Sequence, residues 1–240
     1  MSPLISAHRG SCGPEELPAA ERYSRAIDLG VDYVELDVQR TSDGVYVNYH
    51  DDAVPSGRPV DSLTFRDVKR ELGAEVLNLD DLLDLVAGRV GLHVDLKGRG
   101  YEPAIVHAVL ARVDPQGFVV TTGEVQSIRT IKEQFPSVRA GLTLGTDMTN
   151  AHAWATMTER LAELFPGPRL KASHADFVAA HRQLARIRLL RYCARMRLDA
   201  WVWTVDDQEE IRHFMADPRV TTLITNRPDI ALKFRRQRSA

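Results

Sequence analysis

Glu35 and Asp37 sit two residues apart in the stretch VDYVELDVQRTSDGVYVNYHDD, residues 31–52, and alternate there with the apolar Val34, Leu36 and Val38. In a β-strand, residues two apart share a face, so both carboxylates point one way and the apolar set points the other. Asp43-Gly44 follows, a dipeptide that closes two-residue hairpins. With those two residues as the turn, Asp37 stands opposite His50, on the face that carries Glu35. Two carboxylates with an imidazole beside them are a set that can hold a divalent cation and move a proton. The same pattern also occurs as the plain solvated face of an antiparallel strand, and a histidine near a turn is an ordinary surface residue. The elements around the stretch must decide between these readings.

The chain has 240 residues, 44% of them hydrophobic, enough for one large α/β domain spanning 1–240. Lys and Arg number 31 against 33 Asp and Glu, a formal net charge of −2, so no basic field invites nucleic acid. Cys12 and Cys193 are far apart, without metal-ligand spacing, as suits a reducing compartment. Met1-Ser2-Pro3 leads into Leu4-Ile5 with no basic start or signal-like apolar core, and no apolar run approaches a membrane span. A soluble, cytoplasmic protein without stable membrane insertion is expected.

Eight strand signals follow in order: Leu4–His8, the first arm of the hairpin, Val90–Lys97, Phe118–Thr121, Arg139–Leu144, a weaker one between Leu170 and Val178, Ala200–Val205 and Thr222–Thr225. Helical patterns lie between most of them: from Pro14 to Gly30, Thr64–Leu72, Leu79–Ala87, Tyr101–Val113, Val125–Phe135, Asn150–Phe165, Ala180–Arg197 and Asp207–Ala216. This alternation predicts a (β/α)₈ TIM barrel with a β-hairpin extension after the second strand. An open doubly wound sheet is the alternative, but no glycine-rich dinucleotide fingerprint follows any strand. In a barrel, functional side chains collect where strands end. Here His8 and Arg9, Glu35 and Asp37, Asp95 and Lys97, and Trp203 and Thr204 all fall there.

These residues resemble a known family. His8-Arg9-Gly10, Pro14-Glu15, Glu35-Leu36-Asp37-Val38, Thr41-Ser42-Asp43-Gly44 and His50-Asp51 look like the motifs of glycerophosphodiester phosphodiesterases. The similarity continues through Asp95-Leu96-Lys97, Trp203-Thr204-Val205 and Thr225-Asn226-Arg227-Pro228, and so covers nearly the whole chain. The resemblance implies a metal-dependent barrel hydrolase that cleaves glycerophosphodiesters to sn-glycerol 3-phosphate and an alcohol. By the same resemblance Glu35 and Asp37 are metal ligands, His8 and His50 the acid/base pair, and Arg9 and Lys97 bind phosphate oxygens. Asp95 stands where the family commonly has Glu, a third ligand one methylene shorter. Glu16 replaces a usual Asn, Asn226 a usual Asp, and the usual Arg-Thr pair after His50 is missing. Asp at the third-ligand position also occurs in the related sphingomyelinase D-type phospholipases. A lysophospholipase D- or sphingomyelinase D-like activity on a lysolipid therefore stands as one rival, and a barrel that binds metal and phosphate without turnover as another.

Hard oxygen ligands favour one Mg²⁺ or Ca²⁺ ion, without choosing between them. Glu15 reaches the metal or a glycerol hydroxyl in one reading and only favours a helix N-terminus in the other. Trp203 reads as an apolar wall for the alcohol side of the substrate, and Trp201, deeper with the same parity, as barrel filling. His93 shares the parity of Asp95 but lies deeper, which predicts a hydrogen-bonded core role. His107, His152, His181 and His213 are expected on outer helices. The arginine-rich helix between Arg182 and Arg197 reads as a solvated outer face, and the tail from Arg235 to Arg238 as a disordered end.

Overall fold

Every strand signal but one is followed by a segment that can turn and return as a helix, and that rhythm closes the sheet. The computed structural model describes residues 2–13, 17–145 and 166–239. The strands are β1 Leu4–Ala7, β2 Tyr33–Arg40, β3 Tyr46–Asn48, β4 Leu77–Asn78, β5 Gly91–Leu96, β6 Phe118–Thr122, β7 Arg139–Leu144, β8 Phe177–His181, β9 Asp199–Trp203 and β10 Thr222–Thr225. Eight of them pair in parallel in the cyclic order β1, β2, β5, β6, β7, β8, β9, β10, and β10 returns to β1. The result is a closed (β/α)₈ barrel. Strands β3 and β4 add antiparallel to the outside of β2, over a small apolar cluster of their own that includes Val47, Val54, Val60 and Val68.

All inner positions of β2 are buried, because a parallel barrel strand is covered on both sides. Val34, Leu36 and Val38 pack outward against α1 (Ala19–Leu29) and its neighbours, while Glu35 and Asp37 point to the barrel axis. Below them the barrel is filled by Trp201, tilted against Phe177 at 4.7 Å and Tyr33 at 5.3 Å between ring centres. Trp201 is a filler, as its depth predicts. Helices α2 (Phe65–Leu72) and α3 (Leu79–Val86) begin on Thr64 and Asn78, whose side chains accept from Asp67 N and Asp81 N.

Three expectations shift. The hairpin pairs Val38 with Asn48, Gln39 with Val47 and Arg40 with Tyr46, one residue short of the two-residue turn. Ser42, Asp43 and Gly44 form a three-residue loop, with Gly44 at φ +82°. Thr41 favours it, because its hydroxyl lies 2.6 Å from Asp43 Oδ1 and accepts from Val45 N at 3.1 Å. The weak signal near Leu170 is instead the helix Gly167–Ser173, and the strand comes later, at Phe177–His181. His181 therefore ends a barrel strand, 8% exposed, rather than riding on an outer helix. Its Ala179-Ala180 context is helix-favouring by propensity, and strand pairing on both sides overrides it. The basic tail is the helix Pro228–Ser239, with Ala231 and Leu232 buried and Arg235 bound to Asp32. The expected helix over 150–165, with His152, lies outside the described residues, as does Glu15.

Candidate active site

Parallel register brings the acidic residues together. Asp37 of β2 pairs with Asp95 of β5, Glu35 with His93, and Asp95 in turn with Thr121 of β6. Neighbouring inward side chains at one level of a barrel share one layer. The carboxylates of Glu35, Asp37 and Asp95 consequently each offer an oxygen within 4.8 Å of the others. Glu35 and Asp95 line the floor of a cleft of about 610 Å³, whose walls include His8, Arg9, His50, Lys97 and Trp203, and Asp37 is buried just behind them.

The turn after β1 is shaped for this floor. Arg9 takes a left-handed conformation, φ 52° and ψ 33°, and aims its backbone N–H at Glu35 Oε2, 2.6 Å away. Gly10 follows at φ +66° directly over the ring of Tyr23, where a Cβ would lie 2.5 Å from Cδ1. Only glycine fits there. The Tyr23 hydroxyl in turn donates to Glu35 O at 2.9 Å and lies 3.2 Å from Asn48 Oδ1, tying α1, β2 and β3 beneath the site.

Electrostatics split the carboxylates. Burial, with the nearby charge of Asp37, pushes the Glu35 carboxyl well above the usual range. Burial also acts against Asp37, but Lys97, His50, His8 and Arg9 together outweigh it and hold Asp37 well below the usual range. The Lys97 ammonium lies 2.6 Å from Asp95 Oδ2 and 2.9 Å from Asp37 Oδ1, and these carboxylates raise it despite its burial. Asp95 also accepts the Thr121 hydroxyl at 2.6 Å. Asp37 Oδ1 is buried and accepts no aligned hydrogen bond, the ammonium contact being one of charge only. Lys97 meets the charge of this oxygen, and the lone pair left without an aligned donor is one that a second cation could take up. The donor set is all-oxygen, and so the three residues fit a hard divalent ion.

His93 carries a directed chain under this floor. Its Nε2 is 2.8 Å from Thr121 Oγ1, whose hydroxyl is committed to Asp95, so Nε2 carries the proton and Nδ1, 3.2 Å away, accepts from Ser6. Burial foremost lowers His93 to about 4 and keeps it neutral. His50 reaches the cleft differently from its expected pairing. Continued in the observed register, Asp37 would face Tyr49, but β3 ends at Asn48. Gln39, 8% exposed, then donates from Nε2 to Tyr49 O at 2.9 Å and Asp51 O at 2.8 Å, bending the chain so that His50 lines the cleft. Its Nδ1 lies 2.8 Å from Asp51 Oδ1. A turn at Asp43-Gly44 was legible in the sequence; its three-residue length and the part of Gln39 were not, because the latter exists only once the strand has stopped.

The sequence profile of the glycerophosphoryl diester phosphodiesterase family matches residues 8–91, which include His8, Glu35, Asp37 and His50. Over this third of its length the chain resembles that family. The protein is an enzyme, a phosphoric diester hydrolase. A glycerophosphodiester phosphodiesterase of Caldanaerobacter subterraneus subsp. tengcongensis is 24% identical over 259 residues, covering 99% of each chain. A crystal structure of a glycerophosphodiester phosphodiesterase from Parabacteroides distasonis superposes with a TM-score of 0.79 at 19% identity, over 100% of this chain and 99% of that one. A phosphodiesterase of Oleispira antarctica, solved in complex with the product sn-glycerol-3-phosphate, gives 0.75 at 16% identity, over 98% and 97%. At such identity these two structures share the barrel.

The residues that carry the resemblance gather at one end of the barrel. His8, His50, Arg9, Lys97, Trp203, Glu35 and Asp95 all line one cleft, with Asp37 buried beside the two carboxylates. Arg9 holds its guanidinium beside Asp37, Nε to Oδ2 3.4 Å, with 41% of the side chain exposed. Trp203 donates from Nε1 to Ala179 O at 3.0 Å and meets His181 edge-on, which fixes its ring as a wall. Among the described residues no helix is long and apolar enough to cross a membrane.

Proposed function

We propose that the protein hydrolyses glycerophosphodiesters to sn-glycerol 3-phosphate and an alcohol, with one divalent cation, Mg²⁺ or Ca²⁺, on Glu35, Asp37 and Asp95. The observation that carries this reading is the acidic trio, with ligand atoms within 4.8 Å, two of its members lining a cleft that both His8 and His50 also line. When bound, the cation would offset charge building on the phosphoryl oxygens. Arg9 and Lys97 supply further positive charge at the same floor. His8, lowered to about 4 by burial first and by the Arg9 charge second, is neutral at neutral pH and can accept a proton. His50, beside the Asp51 carboxylate, is the partner that returns one to the leaving alcohol. Trp203 shapes the side of the cleft that takes that alcohol.

The test is release of glycerol 3-phosphate from glycerophosphocholine and glycerophosphoethanolamine, with a lysolipid as a third substrate, each with and without EDTA. Turnover of the glycerophosphodiesters, abolished by EDTA and restored by the ion, is expected. H8A and H50A should each cost at least about a hundredfold, the usual contribution of a general acid or base. Turnover of the lysolipid alone would favour the lipase reading, and none at all a binding barrel.

A further inference from the structure

Behind His8, at the ends of three adjacent strands, runs a set of hydrogen bonds that the reaction scheme above does not use. His8 follows β1, Asn226 follows β10 and Asp206 lies beyond β9, and β10 stands between the other two in the barrel. His8 Nδ1 is 2.9 Å from Asn226 Oδ1. Asn226 Nδ2 donates to Asp206 Oδ2 at 2.7 Å, and Asn226 N donates to Asp206 Oδ1 at 2.7 Å. Ser11 Oγ donates to Asn226 Oδ1 at 3.1 Å, and Thr225 Oγ1 to Asp206 Oδ1 at 3.2 Å.

The donor and acceptor inventory allows one arrangement. A carboxylate offers only acceptors, so the face of the Asn226 amide toward Asp206 must be its NH₂. The oxygen is then turned toward His8 and Ser11, and its two lone pairs meet two donors. His8 Nδ1 must therefore carry a hydrogen, which leaves Nε2 as the bare nitrogen of a ring that lines the cleft. A carboxylate behind an imidazole commonly fixes its tautomer. Here an amide is interposed, and the carboxylate acts on the imidazole only by deciding which way that amide points.

We infer that Asp206 is a positioning residue, which orients the Asn226 amide and so sets His8 in the Nδ1–H tautomer with Nε2 free to take a proton. Neither Asp206 nor Asn226 lines the cleft, and neither touches the substrate on this account. The role of His8 as proton acceptor rests on the proposed function. The tautomer itself does not.

The decisive probe is the ¹⁵N signature of His8 in the metal-free protein at pH 7, assigned with H8A. The wild type should show the Nδ1–H form alone. In D206N the Asn226 N–H holds the oxygen of the new amide, whose NH₂ then faces the Asn226 side chain, so the Asn226 amide is driven to reverse and the Nε2–H tautomer should appear. The same variant should lose between about tenfold and a hundredfold in kcat, part or all of what a general base contributes, with KM little changed. N226D alone sets two carboxylates against each other and should fall at least as far. The double exchange D206N/N226D puts the carboxylate directly beside His8 with an amide behind it as donor, and should recover the Nδ1–H signal and most of the lost kcat. A single Nδ1–H signal persisting in D206N would overturn the inference, as would a double variant no better than D206N. Should no phosphodiester be turned over, the proposed function fails while the ¹⁵N spectra still decide the tautomer.

Discussion

Glu35 and Asp37 differ by one methylene and two positions, yet the protein drives their protonation apart. Glu35 is the more deeply disfavoured as an anion, by burial and then by Asp37; Asp37 is ionised because Lys97 and its other cationic neighbours outweigh its burial. Two carboxylates this close do not both ionise easily without a counter-charge. The cation-free site therefore keeps a proton on Glu35, and a divalent ion must displace it. Cation binding should release a proton at pH values above the ordinary carboxylate range, and affinity should rise with pH until Glu35 is ionised unaided. Calorimetric titration in buffers of different ionisation enthalpy reads this directly. An observed enthalpy independent of the buffer would refute the split, and E35Q should remove the released proton while weakening binding. The presence of the pair was legible from its spacing in the strand. Its partner Asp95 was legible only as a strand end, because the register that sets it level with Asp37 belongs to the pairing of β2 and β5 and not to either segment alone.

Between residue and barrel, the site depends on two short connections that aim side chains where strands alone would not. In the first, Gly10 passes over Tyr23 at positive φ, and the preceding Arg9 N–H holds Glu35. G10A forces a Cβ into an aromatic ring in a backbone region that disfavours it, two effects that together cost about 2–4 kcal/mol. Urea denaturation measures the loss, and a change under about 0.5 kcal/mol, the scatter of neutral surface substitutions, would contradict this account. In the second, Gln39 clasps the carbonyls of Tyr49 and Asp51 on either side of His50. Q39A removes two hydrogen bonds at the edge of the structure, about 1–2 kcal/mol of stability. It should cost turnover disproportionately, at least about tenfold in kcat, because the segment it releases bears a proton-transfer group. Kinetics and thermal melts on the same sample separate the two effects. The hairpin shows where sequence reasoning stopped. Asp43-Gly44 announced a turn, and the Thr41 hydroxyl selected a three-residue loop instead, moving every cross-strand partner by one. His50 still reaches the cleft, because a side chain and not the ladder carries it there. The strand at Phe177–His181 was misplaced for a similar reason: pairing with β7 and β9, invisible locally, defines it.

At the scale of the whole molecule, closing the barrel buries imidazoles in places where a charge is costly, and this couples the fold to pH. His8 and His93 are each lowered from 6.5 to about 4, burial being the largest cause for both. In the unfolded chain both take up a proton near pH 6.5. Between the two values the folded protein binds fewer protons, so stability is full above about 6.5 and falls as pH drops toward 4. Each group contributes up to about 3 kcal/mol over that window, with His8, partly open to the cleft, giving less than His93. Glu35 works in the opposite sense. Its raised carboxyl holds its proton in the fold to higher pH than the unfolded residue, so its stabilisation is lost as pH rises and it offsets at most one histidine. A bound cation keeps Glu35 ionised and removes that offset. The midpoint of urea unfolding should therefore fall from pH 6.5 to 4 in the cation-free protein, and fall more steeply with saturating cation, on top of the upward shift that any ligand of the folded state produces. H93Q, which keeps a neutral donor and acceptor in the barrel, should flatten both curves. Equal slopes with and without the ion would show that the acidic trio and the buried imidazoles do not share one balance of protons.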